Sequence, residues 1–274
     1  FNKKYLFKDG YELTYYIYKN TRPRDTFKNG VRTDDTTVLY VIDKILTSDE
    51  LTDTSSINCF DVGGYIGVIT LLMSKKLHNQ KKKWKIHTFE PFNESFSKLQ
   101  ENIKLDPFNH NINLNNVAVS NESGFAILET YKEKPGENHL YSGGSKKILN
   151  KYNENVKVIT LEDYIYDNGI KNINICKIDT EGSDYFVVKG LSKYLNNKIV
   201  DFFIFEYQEN NYDKIFDLLG LYGYKIFYLV RNEDILVSSL KNYPKICKTL
   251  LNYIAVSPDK INSFIKKFNL DELN

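Results

Sequence analysis

Short apolar segments alternate with amphipathic segments along most of the chain. The first clear strand pattern covers 57–62, and it is followed by two glycines and by a helical pattern over 68–77. Asn93 is the predicted N-cap of a second helix. The same analysis predicts further strands at 84–90, 113–119, 125–130, 173–179, 199–205, 224–230 and 252–256, and further helices at 94–105, 161–166, 185–195, 212–219 and 258–268.

This alternation predicts an α/β domain with a mainly parallel sheet that helices cover on both faces. The last two strands have no helix between them, so we expect an antiparallel hairpin at one edge. Residues 1–50 combine a strand-like and a helical pattern, and they are expected to form an N-terminal extension packed on a core domain, residues 51–274. The polar stretch 131–155 is longer than most connections, which predicts a functional lid or a mobile loop.

Composition and charge restrict the class of protein further. With 42% hydrophobic and 26% charged residues, the chain resembles ordinary folded proteins rather than disordered or fibrous ones. No apolar segment approaches the roughly 18 residues that a membrane helix needs, so a membrane is not an expected partner. The net charge of +2 gives no strong field to attract phosphates, which argues against nucleic acid as a partner.

Cysteine usage and the first residues of the sequence indicate the cellular compartment in which we expect the protein. Cys59, Cys176 and Cys247 are scattered, so the sequence predicts neither a zinc site nor a disulfide framework, and no metal is expected. A reducing, cytoplasmic compartment fits this usage best. The sequence begins without a methionine or an apolar signal segment, so we expect no secretion signal and regard the chain as a candidate domain of a longer polypeptide.

The most informative motif runs from Asp61 to Gly67, between a predicted strand and a predicted helix. Its glycines allow a sharp turn and let a ligand approach the backbone, and the helix start offers unpaired amides. A dinucleotide-binding loop carries no carboxylate at the strand end, because that charge would repel the phosphates. Asp61 occupies this position here, and its charge suits a ligand with cationic groups, such as the sulfonium and ammonium of S-adenosylmethionine.

A second carboxylate ends the next predicted strand. Glu90 precedes Pro91 and follows Gly67 by 23 residues. A carboxylate about 20 residues beyond a glycine turn is placed to bind the two hydroxyls of a ribose. The order and the placement of the two motifs together predict a nucleoside-binding site.

Three more carboxylates are candidate catalytic groups. Asp179 and Glu181 lie two positions apart at a strand end, so a continued strand would point both to one face, where their proximity would raise one pKa. Such a group can act as a base near neutral pH; the alternative is that Glu181 caps the helix that starts near Ser183. Glu206 ends the following strand at the same edge. His139, within the stretch 131–155, is a further candidate that a lid could bring over the substrate.

Four segments resemble the FkbM-type family of S-adenosylmethionine-dependent methyltransferases. They are the runs 60–67, 87–91, 116–120 and 176–184, of which the Lys-Ile-Asp-x-Glu-Gly sequence is the most specific. The resemblance covers about residues 55–210. It implies a Rossmann-like class I methyltransferase fold, with a seven-stranded, mainly parallel sheet and an antiparallel last pair. Gly64 departs from the family pattern, which commonly has alanine at this position.

The resemblance also implies roles for individual residues. Asp61, Gly63 and Gly67 would hold the methionine end of the cofactor, and Glu90 its ribose hydroxyls. The segment Asn116, Val117 and Ala118 would lie along the adenine, and Asp179 would sit between cofactor and substrate. Gly64, Tyr65 and Pro91 complete the expected cofactor-binding set because they lie within the same motifs.

These inferences predict an S-adenosylmethionine-dependent O-methyltransferase that acts on a hydroxyl of a sugar, a glycan or a similar small molecule. Three alternatives remain. The first is ribose 2′-O-methylation of RNA, which the near-neutral charge disfavours, and the second is a catalytically silent domain that binds the cofactor as a scaffold. A nicotinamide oxidoreductase is the third alternative, and Asp61 argues against it.

Overall fold

The computed structural model describes residues 4–8, 14–18, 35–47, 56–78, 82–131, 139–140, 151–206, 212–231, 235–239 and 252–270. In chain order the strands are β1 (Lys4–Lys8), β2 (Thr14–Tyr18), β3 (Ser56–Val62), β4 (Lys83–Phe89), β5 (Ile112–Asn115), β6 (Ala118–Val119), β7 (Gly124–Tyr131), β8 (His139–Leu140), β9 (Lys151–Ile159), β10 (Ile173–Ile178), β11 (Val200–Glu206), β12 (Lys225–Arg231), β13 (Ile235–Ser239) and β14 (Asn252–Val256). The α-helices are α1 (Asp35–Leu46), α2 (Val68–Leu77), α3 (Asn93–Ile103), α4 (Leu161–Asp167), α5 (Asp184–Lys189), α6 (Ser192–Leu195), α7 (Tyr212–Leu221) and α8 (Ile261–Lys267).

The main sheet has the order β13-β12-β14-β11-β10-β3-β4-β5. Strands β11, β10, β3, β4 and β5 are parallel neighbours, whereas β14 runs antiparallel to both β11 and β12. The predicted fold class is therefore confirmed: seven strands form the expected mainly parallel sheet with an antiparallel last pair, and β13 adds an eighth strand beside β12.

A smaller sheet, of order β6-β9-β7-β8, lies outside the main one, and the sequence analysis missed it. The predicted strand 113–119 is divided, because β5 joins the main sheet and β6 joins the small one. Between them the Asn116 side chain donates to the carbonyls of Glu90 and Pro91, which fixes the point where the chain leaves the main sheet. The expected connection 131–155 is also partly wrong, since β8 and the start of β9 fall within it.

Several helix boundaries differ from the prediction, and two of the differences have an identifiable cause. Phe92, not Asn93, is the N-cap of α3, because the Glu90 carboxylate accepts the Phe92 amide and holds this residue extended. The predicted helix 185–195 is divided into α5 and α6 around Gly190, where a Cβ atom would lie 2.4 Å from the Ser120 carbonyl oxygen. None of the helices in the described part of the chain is long and apolar enough to cross a membrane.

Alternating side chains of the strands supply a hydrophobic core on each face of the sheet. In β3, Ile57 and Cys59 pack with the first cluster, whereas Phe60 and Val62 pack with the second. Helices α1, α2, α3 and α8 contribute buried residues to the first cluster, and α4 to α7 contribute to the second. Helix α1 belongs to the first 50 residues; the division of the chain into an extension and a core domain stays a prediction.

The departure from the family pattern at Gly64 has a packing reason that can be tested. A Cβ atom at Gly64 would lie 2.3 Å from the Thr88 methyl carbon, and Thr88 is fully buried. We expect Gly64→Ala to destabilise the fold by about 1–3 kcal/mol through overpacking. Thr88→Ser removes the methyl but keeps the hydroxyl, so the alanine should cost at least about 1 kcal/mol less in that background. Urea unfolding of the wild type, the two single variants and the double variant measures this coupling.

Gly220 in α7 provides the matched control. Apart from its chain neighbours and its own helix backbone, no atom of the described residues lies within 4 Å of a Cβ built there, so Gly220→Ala should be neutral or stabilise the helix by up to about 1 kcal/mol. Equal destabilisation by Gly64→Ala with threonine or serine at position 88 would contradict the packing explanation.

Candidate active site

The turn that follows β3 brings the ends of three strands together. Gly63 and Gly67 have φ angles of 80° and 93°, and Tyr65 has a φ of 48°. The amides of Gly63 and Gly64 both donate to the Phe89 carbonyl at the end of β4. A Cβ atom at Gly63 would lie 1.8 Å from the Asp179 carbonyl oxygen, so this position accommodates only glycine.

Asp61 lies beneath this turn with its side chain fully buried. Its Oδ2 accepts a hydrogen bond of 2.7 Å from the Thr70 hydroxyl. Because the single Thr70 proton is then used, Thr88 donates across the 2.8 Å contact between the two hydroxyls. Burial raises the pKa of Asp61 above its ordinary value, despite the opposing effects of Lys177 and Thr70.

Lys177 in β10 forms an ion pair with the Asp61 carboxylate from the neighbouring strand. It lies directly opposite Asp61 in the parallel pair β10 and β3. Its Nζ is 3.4 Å from Asp61 Oδ1 and 3.4 Å from Asp179 Oδ2, and it donates to the Gly63 carbonyl at 3.0 Å. One ammonium thus contacts two expected cofactor-site carboxylates and the glycine turn.

Glu90 is held by backbone amides from both sides. Its Oε2 accepts from the Tyr65 amide at 2.9 Å, and its Oε1 accepts from the Phe92 amide at 3.0 Å. Burial raises the pKa of this carboxyl to about 7, although both amides favour the ionised form. Glu90 therefore joins the glycine turn to the start of α3, and each carboxylate oxygen retains a further acceptor site for a ligand.

The predicted adenine segment lies beside Glu90. Asn116 is tied to Glu90 and Pro91 through the two carbonyls described above. Val117 packs partly buried against the second core cluster, and Ala118 is buried in β6. The structure thus brings this segment, Pro91 and Glu90 together at the carboxyl end of β4; their contacts with a cofactor stay a prediction.

The condition under which Asp179 and Glu181 would share a strand face, a strand that continues to Glu181, is not met. Strand β10 ends at Ile178, and Glu181 has a φ of 52°, so the chain turns before Glu181. Asp179 remains at the strand end with its side chain 39% exposed. Glu181 is not the N-cap of the following helix, since Ser183 occupies that position.

Glu206 lies at the end of the neighbouring strand. Ile178 pairs with Phe205 in register, so Asp179 and Glu206 follow at the adjacent ends of β10 and β11. His139 is different: its backbone lies in β8 opposite Glu129, and its side chain falls outside what the structure describes. Its role as a catalytic group under a lid stays a prediction.

Sequence reasoning missed four residues that organise this edge. Lys177 and Thr70 could have been found, because each is a polar residue on the buried face of an otherwise apolar element. Thr88 gave no such signal. Asp184 accepts from the amide and the hydroxyl of Thr180, and burial with the nearby Asp179 charge raises its pKa to about 6.

The charges at this edge fit a cofactor that carries cationic groups. Asp61, Glu90, Asp179 and Asp184 are acidic, and Lys177 lies among them. Within the described residues, the buried atom Asp184 Oδ2 accepts no hydrogen bond, whereas Asp61 Oδ1 lies 3.4 Å from Lys177 Nζ. Buried carboxylates whose pKa values are raised by desolvation favour the approach of positive charge. The arrangement therefore suits a sulfonium and an ammonium better than a pyrophosphate.

The Glu90 carboxyl predicts a pH-dependent stability. Its folded-state pKa of about 7 exceeds the ordinary 4.5, so the folded protein binds more protons than the unfolded chain between these values. Its contribution is therefore full below about pH 4.5 and is lost as pH rises to 7, by an amount of order 3 kcal/mol. Glutamine does not titrate, so Glu90→Gln lacks this pH dependence. The unfolding free energy of the wild type, taken relative to that of Glu90→Gln, should therefore fall from pH 5 to pH 8.

Asp184→Asn gives a second curve for comparison. The raised Asp184 pKa of about 6 predicts that the contribution of this carboxyl to stability is also lost as pH rises, over a lower pH range that ends near pH 6. Urea unfolding across this pH range measures both variants. A difference between wild type and Glu90→Gln that stays constant from pH 5 to pH 8 would contradict the assignment.

Comparison with solved structures and curated proteins places this fold among methyltransferases. A SAM-dependent methyltransferase from Agrobacterium tumefaciens superposes with a TM-score of 0.50 and 7% identity, over 94% of this chain and 71% of that one. The methyltransferase FkbM from Methylobacillus flagellatus KT gives a TM-score of 0.45 and 14% identity, over 73% and 44%. At such identities the likeness concerns the fold alone.

A curated relative is similar in sequence as well. Methyltransferase 1 from Beauveria bassiana (strain ARSEF 2860) is 28% identical over 149 residues, which cover 48% of this chain. The matched region spans 57% of that protein's own length.

The family comparison covers the elements that build the site. The Methyltransferase FkbM domain matches residues 61–226, more than half of the chain. This range contains the glycine turn, Glu90, the segment 116–118 and the strand ends at Asp179 and Glu206. It supports the predicted cofactor, S-adenosylmethionine, and it confirms the resemblance seen in the sequence. The chain belongs to the FkbM methyltransferase family.

Proposed function

We propose that this domain transfers a methyl group from S-adenosylmethionine to a hydroxyl oxygen of a sugar, a glycan or a similar small molecule. The observation that carries the proposal is the pair of carboxylates, Asp179 and Glu206, at the ends of adjacent parallel strands. Ligands of open α/β sheets bind beyond the carboxyl ends of the strands. Carboxylates at that edge are acceptors for the hydroxyl groups of a carbohydrate.

The residues divide between cofactor and acceptor. Glu90, the glycine turn and the segment 116–118 would hold the cofactor, which when bound supplies an electrophilic methyl group on its sulfonium. Asp179 would receive the proton of the acceptor hydroxyl, because its side chain is 39% exposed while it stays anchored near Lys177. Alignment of the acceptor oxygen supplies much of the rate, and a positioned base adds a further factor of about 10²–10⁴.

The charge of this edge favours a neutral acceptor over RNA. Asp179, Glu206 and Glu181 bring negative charge to the strand ends, and the net charge of the whole chain is only +2. A polyanionic acceptor would have to overcome repulsion here, since RNA-binding surfaces rely on clustered lysine and arginine. We therefore favour a carbohydrate hydroxyl over a ribose 2′-hydroxyl in RNA.

A reducing, cytoplasmic compartment is part of this proposal. Cys59 and Cys176 are free thiols in the buried core, and burial raises the pKa of Cys59 to about 12. Such thiols form no disulfide and are poorly reactive. They are compatible with the cytoplasm, where thiols stay reduced.

Separate amide substitutions test the assignment of the base. We expect Asp179→Asn to lower kcat for methyl transfer by about 10²–10⁴-fold, with Glu206→Gln and Glu181→Gln costing less. Binding of S-adenosylhomocysteine should change little in Glu206→Gln, because Glu206 ends β11, which lies one strand farther from the glycine turn than β10. Methyl transfer from radiolabelled S-adenosylmethionine to a glycan library measures the rates, and calorimetry measures binding.

Asp217→Asn on the exposed face of α7 is the matched control and should leave turnover unchanged. Wild-type turnover in all three variants would refute a carboxylate base at this edge.

The acceptor class is tested in the same assay with RNA oligonucleotides in place of glycans. We expect label in the glycan fraction and none in RNA. Methylated RNA, with binding that falls steeply as salt is raised, would replace the proposal with ribose methylation. Tight cofactor binding without labelling of any glycan, metabolite or RNA would instead indicate a silent scaffold domain.

A further inference from the structure

Lys177 is a charged residue in a strand that is buried along its whole length. It is 7% exposed, and its neighbours in β10 contribute to the hydrophobic core on both faces. Burial of an ammonium is unfavourable unless opposite charges and hydrogen-bond acceptors surround it. The contacts of its Nζ therefore indicate why a lysine occupies this position.

Those contacts join three separate segments of the chain. The Nζ donates to the Gly63 carbonyl at 3.0 Å, and it lies 3.4 Å from one oxygen each of Asp61 and Asp179. Gly63 belongs to the turn after β3, and Asp179 follows β10. The ammonium lies at the same distance from the fully buried carboxylate and from the one that is 39% exposed.

We propose that Lys177 is a positioning residue for methyl transfer, which fixes the glycine turn through Gly63 and holds Asp179 at the strand end. The inference rests on the proposed function, in which Asp179 faces the acceptor. Lys177 acts through these groups and needs no contact with cofactor or acceptor.

Neutralisation of Asp61 alone does not account for the arrangement. Neutralising Asp61 needs one ion pair, whereas the Lys177 ammonium lies near both Asp61 and Asp179 and also donates a hydrogen bond to the glycine turn. Buried ion pairs also contribute little net stability relative to apolar residues of similar size. The third contact satisfies a donor of the buried ammonium and also ties it to the glycine turn, which is the link that a positioning role requires.

The test is the affinity for S-adenosylhomocysteine, measured by calorimetry on the full chain. Loss of a charge-assisted hydrogen bond that fixes the loop predicts about ten- to a hundredfold weaker binding in Lys177→Met. Lys177→Arg keeps the charge and several donors, so it should recover part of the affinity. Wild-type affinity in Lys177→Met would overturn the proposal.

The double variant Asp61→Asn with Lys177→Met keeps the test decisive if Lys177→Met fails to fold. It removes both members of the buried ion pair, so it should fold. Because Asp61 itself belongs to the expected cofactor site, the reference is Asp61→Asn alone, and the double variant should bind S-adenosylhomocysteine about tenfold or more weakly than that single variant. Equal affinity of the two would mean that Lys177 only compensates the Asp61 charge, which would overturn the positioning role.

Lys198→Met is the matched control. Lys198 donates to the Tyr222 carbonyl and lies just before β11, at the opposite end of the strands from the site. We expect the control to bind S-adenosylhomocysteine as wild type does. Equal loss of affinity in Lys198→Met and Lys177→Met would show a general effect of removing a hydrogen-bonded lysine and would overturn the proposal.

Failure of the proposed function can be told apart from failure of this inference. Binding of S-adenosylhomocysteine requires no acceptor, so it reports on Lys177 even if no sugar is methylated. Conversely, methylation of a glycan by the wild type supports the function whatever the affinity of Lys177→Met.

Discussion

The carboxylate of Asp61, fully buried at the end of β3, is the constraint on which the rest of the site depends. Such a charge needs partners, and Thr70 from α2 and Lys177 from β10 come to it from two neighbouring elements. Lys177 in turn lies near Asp179 and donates to Gly63, so the strand ends and the glycine turn are tied to one buried group.

The second carboxylate, Glu90, extends this organisation along the sheet edge. By accepting from the amides of Tyr65 and Phe92, it links the same turn to the start of α3, and Asn116 connects it to the small sheet. The edge therefore combines a hydrogen-bonded side suited to a cationic nucleoside cofactor with the adjacent ends of β10 and β11. A methyl donor and a hydroxyl acceptor need such neighbouring sites, because transfer depends on their alignment.

The sequence was sufficient wherever the signal is local. The alternation in β3, the glycines after it and the helical period of α2 predict that unit to within one residue, because each follows from chain periodicity and backbone conformation. The positions of Asp179 and Glu206 at neighbouring strand ends were predicted from the order of the elements. The family resemblance then extended the prediction to the seven strands of the sheet.

The errors arose where distant residues decide the local structure. Asn93 is a favourable N-cap residue, yet the position belongs to Phe92 because Glu90 holds its amide. A single strand was expected at 113–119, but the Asn116 contacts with the chain 25 and 26 residues earlier divide it between two sheets. Strand β10 ends at Ile178 and the chain turns at Glu181, so the condition for Asp179 and Glu181 to share a strand face is not met. The proposed role of Lys177 depends on a contact with a residue 114 positions earlier, so a local pattern could have marked the lysine but not its partner.

The most direct test of this account is a crystal structure of the protein with S-adenosylhomocysteine bound. The account predicts that the ribose hydroxyls lie within hydrogen-bonding distance of the Glu90 carboxylate, and that the sulfur faces a cavity bordered by Asp179. A nucleoside bound elsewhere, or one whose sulfur points away from the ends of β10 and β11, would contradict it.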